Sequence, residues 1–287
     1  MGSGLAEIPV AGAFPVASFI SVGGRKPFTD FKLTHQTMKA EEIAAIIAIP
    51  QAYLDDSAVD LWGYARPLLA QSIAIALDDA VLWGHDNPVS YPPGGVTDPA
   101  FATAVPPGAD ALASVNDTMA AVEAQGLPVT GHAADLVTKA ALRGVRDAQG
   151  ALLLGPVQAD NPAMSSIYGV PVIFNLASPM ADRDFISGDW DSLLVGVRQD
   201  ITYDLSRDGV VVDAAGAVQV SAFQDDQVLM RVHARFGCVI AQPVTSRAPT
   251  GAKPFAYTDV GNPTGGATAS ASTSGGRSTG STSKSAS

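Results

Sequence analysis

The chain has 287 residues, 47% hydrophobic and 7% aromatic, enough apolar material for one large domain or two small ones; this excludes a chain that is disordered throughout. No run approaches the ~20 apolar residues of a membrane span, and no basic segment precedes an apolar signal core, so folding in the cytoplasm is expected. The net charge of −11 divides into +2 over residues 1–40, +3 over 243–287 and −16 over the body, the opposite of the basic face of a sequence-specific DNA binder.

Residues 16–22, VASFISV, and 28–37, FTDFKLTHQT, alternate in β-like fashion on either side of GGRKP. The pattern predicts an open β-hairpin with Gly23, Gly24, Arg25 and Lys26 at its tip. A hairpin with no partner of its own is marginally stable and implies support from another subunit. Glu41 and Glu42, in MKAEEIAAIIAIP, are adjacent and so do not point at one substrate; they read as a solvated face, not as a glycosidase pair.

Asp55, Asp56 and Ser57 offer N-cap chemistry, and apolar residues then recur at helical spacing, predicting a helix over 56–83 that is about 42 Å long. Pro67 removes one backbone hydrogen bond, but the residue four earlier is Gly63, so a kink is expected and not a break. Gly84 supplies the stop. The helix ends in ALDDAVLWGHDNP, where Asp78, Asp79, His85 and Asp86 crowd together as metal or acid/base residues would. Adjacent helical residues diverge by about 100°, which separates Asp78 from Asp79, and Gly84 places His85 outside the helix. Carboxylates in a closing turn also oppose the helix dipole, which points to partners on a neighbouring element or subunit.

A second amphipathic helix is expected at 110–125, with Leu112, Val115, Met119 and Val122 on one face and Gly126 closing it. A third helical stretch at 134–150 leads into a strand, ALLLG, at 151–155. β-Rich runs follow at 167–175, 184–190, 193–198 and 201–209. The last strand, within 227–243, is long and alternates cleanly: Val228, Met230, Val232, Ala234, Phe236, Cys238 and Ile240 on one face, Arg231, His233 and Arg235 on the other. Strands and helices are segregated, so the fold class is α+β. From residue 261 a Gly/Ser/Thr tract is expected to be a flexible tail on its own.

The chain has no Gly-x-Ser-x-Gly, no phosphate-binding loop, no Gly-x-Gly-x-x-Gly and no histidines paired at helical spacing. Its four histidines, His35, His85, His132 and His233, are far apart and read as ordinary hydrogen-bonded or surface residues. Cys238 is the single cysteine, which excludes an intrachain disulfide; it reads as a small buried apolar residue. Asp225 and Asp226 precede the last strand as turn residues. No catalytic, metal or cofactor-binding residue is assigned.

The ordered set KAEEIAAIIAIPQAYLDDS, ALDDAVLWG, LRGVRDAQGALLLGP, IYGVPVIFN, FISGDWDSLLVGVRQDITYDLSRD and FQDDQVLMRVHARFGCVIAQPV resembles the major capsid protein of tailed bacteriophages with the Hong Kong 97-like fold, over about residues 12–246. The resemblance implies an N-terminal arm at 1–15 and an extended hairpin loop at 16–40 that lies over the adjacent subunit. A peripheral domain with a spine helix follows at 41–109, an axial domain at 110–220, a return strand at 221–246 and a C-terminal extension at 247–287. It implies hexameric and pentameric capsomers in an icosahedral shell around double-stranded DNA, bound without sequence specificity, in a virion assembled in the bacterial cytoplasm. Portal, scaffolding and decoration proteins are the implied partners; no membrane and no cofactor is involved.

Some members of the family weld their shells by an isopeptide bond between a lysine and an asparagine, promoted by a glutamate. Here Asp226 and His233 fall at the latter two positions, and only Lys26 or Lys32 supplies an amine, so a non-covalent shell is expected. The implied inter-subunit contact residues are Gly23, Gly24, Arg25, Lys26, Lys32, Asp78, Asp79, Arg231 and Arg235. A shell protein of encapsulin type shares the fold, and a cytoplasmic α+β hydrolase with an acidic site is the alternative of another class.

Overall fold

A computed structural model describes residues 2, 4–26, 28–29, 32–57, 60–146, 164–175 and 185–260. The strand expected at 151–155 and the tail from 261 lie outside these residues. The chain begins with β1 (Leu5–Ala11), β2 (Leu33–Lys39) and β3 (Glu41–Pro50). Helices α1 (Gln51–Asp56) and α2 (Leu61–Asp78) follow, and α2 ends in a π-helical turn, Asp79–Trp83. Next come β4 (Ala102–Ala104), α3 (Ala111–Ala124), β5 (Gly131–Ala134) and α4 (Leu136–Gly144). The remainder is β6 (Met164–Ile167), β7 (Val170–Phe174), β8 (Phe185–Gly188), β9 (Leu193–Ser206), β10 (Val210–Val212), β11 (Val218–Ser221), β12 (Gln227–Ile240) and β13 (Phe255–Thr258). The class is α+β.

Strand β12 organises one half of the protein. It is the centre of an antiparallel sheet of order β3-β12-β9, with Gln227 opposite Pro50 and Phe236 opposite Glu41. Its predicted apolar face is buried throughout, and Met230, Val232, Ala234 and Phe236 pack on Leu69 and Ile73 of α2. Burying Leu69 and Ile73 contributes about 2 kcal/mol each, which holds α2 flat on the sheet.

Helix α2 differs from its prediction at the start. Asp55 and Asp56 close the short helix α1 instead of opening the long one, and α2 begins after Asp60, giving 18 residues and a length of about 27 Å. It runs through Pro67 without interruption. Gly84, at φ +68°, ends it as expected, and a Cβ there would collide with the backbone of Pro93 and Gly94.

The second half is a six-stranded sheet of order β4-β13-β8-β5-β7-β6. Asp110 caps α3 by accepting from the Ala113 amide at 2.7 Å, and Gly126 follows at φ +82°. The α3 face carries fully buried Val115 and Val122, and the sheet supplies Ala134, Val172 and Phe185. Ala80, Val81 and Trp83 of the π-helical turn pack with Ile186, Cys238, Ile240 and Phe255, so one core cluster contains residues of both sheets.

Four expectations are corrected here. The hairpin strands are β1 and β2, paired from Leu5↔Lys39 to Ala11↔Leu33, and not 16–22 with 28–37; the first of those runs carries no strand. Glu41–Pro50, read only as a polar and apolar stretch, is an edge strand of the β12 sheet. Residues 247–260 are no extension: β13 is hydrogen-bonded between β4 and β8, with Phe255 and Ala256 fully buried. Strand β9, placed by sequence with the 110–220 region, shares its sheet with β12.

Candidate assembly surfaces

Beyond the β1–β2 ribbon, the described residues between 12 and 32 form a long loop. The Gly12 amide donates to the Lys32 carbonyl at 2.7 Å and closes the ribbon; further out, Thr29 Oγ1 donates to the Val16 carbonyl at 3.0 Å. At the tip the Gly24 amide donates to the Ser21 carbonyl at 2.9 Å, with Gly23 at φ +83°, a value that favours glycine. Gly23 lies within this turn and Gly24 closes it, Arg25 and Lys26 follow it as exposed residues, and Lys32 sits at the base of the loop. Phe19, Val22 and Phe28, which sequence reasoning overlooked as surface residues, are 90% or more exposed. Apolar side chains in a Gly/Pro-rich stretch were the available signal.

Arg231 and Arg235 share the face of β12 turned away from α2. Arg231 Nη2 donates to Asp204 Oδ2 at 2.8 Å, and this bond holds the Asp204 carboxyl below the usual range. His233 Nδ1 lies 3.6 Å from the same oxygen and its Nε2 is 3.1 Å from Thr202 Oγ1. Arg235 stands opposite Glu42, and its buried Nε meets no acceptor. Asp225 and Asp226 are turn residues: Asp225 Oδ2 accepts from the Ser221 amide at 2.8 Å, and Asp226 adopts φ +50°.

At the end of α2 the two aspartates separate as helical geometry requires. Asp78 is half-buried, accepts from Asn175 Nδ2 at 3.4 Å, and has its pKa raised by burial and by the charge of Asp79. Asp79 lines a cavity of about 600 Å³ together with Glu41, Glu42, His85, Asp86 and Tyr91. Gly84 thus folds His85 back beside Asp79 instead of cutting it off. Glu41 is not merely solvated: its Oε1 accepts from Lys39 Nζ and Ser90 Oγ, both at 2.7 Å, and these bonds lower its pKa. Beneath it the buried Tyr91 hydroxyl donates to the Phe236 carbonyl at 2.8 Å. Among the described residues no group of three or more His, Cys, Asp or Glu side chains is placed to hold a metal ion.

A second groove, of about 540 Å³, opens between the end of β3, α1 and the start of α2. Ile49, Tyr53, Asp56, Leu61, Tyr64 and Leu68 line it, and Tyr53, Tyr64 and Leu68 are more than half exposed. The sequence reading did not find it, because Ser57 and Asp60, which lie outside both helices, were read as helix.

One buried constellation has the look of a catalytic pair. His132 Nδ1 lies 2.9 Å from Ser187 Oγ, which donates to Thr118 Oγ1 at 3.2 Å. His132 is 2% exposed and Ser187 is fully buried, and burial pushes the imidazole pKa down to about 4. A neutral imidazole sealed under α3 offers no path to a substrate; it joins α3 to the sheet. Cys238 is buried as expected, with its thiol pushed up to about 12. The exposed chemistry is that of surfaces waiting for other surfaces.

Comparison with known proteins agrees. The profile of the Phage capsid family matches residues 1–245. No curated protein matches the chain. A solved structure from Mycobacterium phage Adephagia superposes with a TM-score of 0.75 at 24% identity, covering 90% of this chain and 85% of that one. One from Mycobacterium phage Bobi gives 0.74 at 26% identity, with the same coverages. A structure titled "Capsid of native GTA particle computed with C5 symmetry" gives 0.61 at 20% identity, covering 90% and 85%.

Proposed function

Because the chain belongs to the phage capsid family, and is thus a structural, non-enzymatic shell protein of the virion, we propose that its copies assemble through hexameric and pentameric capsomers into an icosahedral shell enclosing double-stranded DNA. The observation that carries this reading is the loop at 12–32, whose Phe19, Val22 and Phe28 lie almost fully in water on the isolated chain. Each such side chain recovers roughly 2 kcal/mol when covered, and a single copy leaves all three uncovered. A thin shell solves this by letting neighbours complete one another's surfaces.

In this reading the loop and the β1–β2 ribbon are the extended arm, α2 is the spine of the peripheral domain, and the six-stranded sheet with α3 and α4 is the axial domain. Asp78, Asp79, Arg231, Arg235 and the loop residues contribute to contacts between copies. The acidic body is compatible with packaged DNA, since confinement by a closed shell does not need tight phosphate binding. The shell is held without covalent bonds, assembles in the bacterial cytoplasm, and works with portal, scaffolding and decoration proteins. Nuclease-treated particles from producing cells are expected to yield protected double-stranded DNA; particles filled with protein cargo and free of DNA contradict the reading in favour of a nanocompartment.

A further inference from the structure

We propose that the outer face of the β3-β12-β9 sheet holds a self-modifying site, where the Thr202 hydroxyl and the Gln199 carboxamide of one chain join as an ester, with His233 as the base. The reaction occurs once per chain and links no two copies, so it adds a bond within the subunit and no enzymatic turnover.

A β-bulge brings the reacting groups together. On a regular strand, side chains three residues apart point to opposite faces. In β9, however, Thr202 stands opposite His233 and Gln199 opposite Arg235, so three steps along β9 answer two along β12. The extra residue turns Gln199 and Thr202 onto the face that carries His233 and Arg235. Gln199 Nε2 lies 3.3 Å from Thr202 Oγ1, which sets the hydroxyl against the carboxamide that it attacks.

His233 serves both partners. Its Nε2 lies 3.1 Å from Thr202 Oγ1 and 2.9 Å from Gln199 Nε2. Its side chain is 17% exposed, so the imidazole is shielded without being sealed in as His132 is. Asp204 Oδ2, held by Arg231 Nη2 at 2.8 Å, lies 3.6 Å from the other ring nitrogen, Nδ1, where a carboxylate stabilises an imidazolium. Arg235, opposite Gln199, has a buried Nε that meets no acceptor; it supplies a donor on the face where the carboxamide oxygen gains negative charge.

The step balances without a co-reactant. A bond forms between Thr202 Oγ1 and Gln199 Cδ while the hydroxyl proton passes to His233. The tetrahedral carbon then expels its nitrogen, which takes that proton back and leaves as ammonia. Nothing is oxidised or reduced, and loss of ammonia to solvent makes the closure one-way.

The test is the intact mass of the purified, denatured full chain, free or from particles, which reads the bond independently of assembly. The wild type is expected to be lighter than its sequence requires by one ammonia. Hydroxylamine, which opens esters, is expected to leave a hydroxamate on Gln199, located by fragmenting a peptide that extends beyond residues 199–202 on both sides. Thr202→Ser keeps the hydroxyl and is expected to stay light. Thr202→Val and His233→Phe are expected to return to full mass, the modified fraction falling on the order of tenfold or more. A wild type at full mass, or an ammonia loss that persists in either of these two variants, overturns the proposal. Should the variants fail to fold, hydroxylamine on the wild type decides: a hydroxamate at Gln199 supports the ester and its absence contradicts it.

Discussion

His132 lies under α3 with one ring nitrogen bonded to Ser187, the other without a partner, and a pKa of about 4 against 6.5 for the free side chain. As pH falls below 6.5 the unfolded chain takes up a proton that the folded chain refuses, so stability is intact above that value and declines until about pH 4. The decline amounts to about 3 kcal/mol. Denaturation curves of the wild type and of His132→Gln, compared between pH 7 and 4, are expected to diverge by that dependence; parallel curves contradict it. Asp78 has the opposite character: burial and the Asp79 charge raise its pKa, so its ionised form opposes folding, and the opposition grows as pH rises through that pKa. Asp78→Asn is therefore expected to stabilise the isolated chain at neutral pH by less than about 1 kcal/mol, read from its denaturation midpoint. A loss of particles by the same variant would assign the carboxylate to a contact between copies.

At the scale of elements, the β1–β2 ribbon leaves the body where Met38 and Ala40 bury themselves on β12. A Cβ on Gly237 would lie 2.8 Å from Met38 Cγ and 3.0 Å from the Lys39 carbonyl, so this crossing has no room to spare. Gly237→Ala is expected to cost about 1–3 kcal/mol and to speed hydrogen exchange in β1 and β2, leaving the six-stranded sheet protected. Elements whose signal is internal were legible in the sequence. The face of β12 from Val228 to Ile240 is buried as its alternation required, and Asp110 and Gly126 bound α3. Elements defined by distant partners were not. VASFISV alternates like a strand, yet its apolar side chains face water because, among the described residues, no second strand lies beside them. EEIAAIIAIP becomes a strand only through β12, and the four residues of β13 only through β4 and β8. A chain cut after residue 251 is expected to lose the near-ultraviolet signal of Trp190, which packs on Phe255 with ring centroids 5.3 Å apart.

For the whole molecule, order along the chain revealed more than any single residue. The surfaces that a single chain leaves exposed are a loop bearing Phe19 and Phe28, a groove beside Asp56 and a sheet face bearing Arg231 and Arg235. Sequence located the loop tip and β12, because glycine and charge patterns are local. It did not locate the groove, which exists only where α1 stops and α2 starts afresh at Leu61. The central claim is that copies of this chain complete one another into a closed shell. Cryo-electron microscopy of the purified protein over a range of salt and concentration tests it most directly. Closed particles of icosahedral symmetry, with the 12–32 loop of each copy laid on its neighbour, are predicted; a 29.3 kDa monomer or a small oligomer under every condition would contradict it.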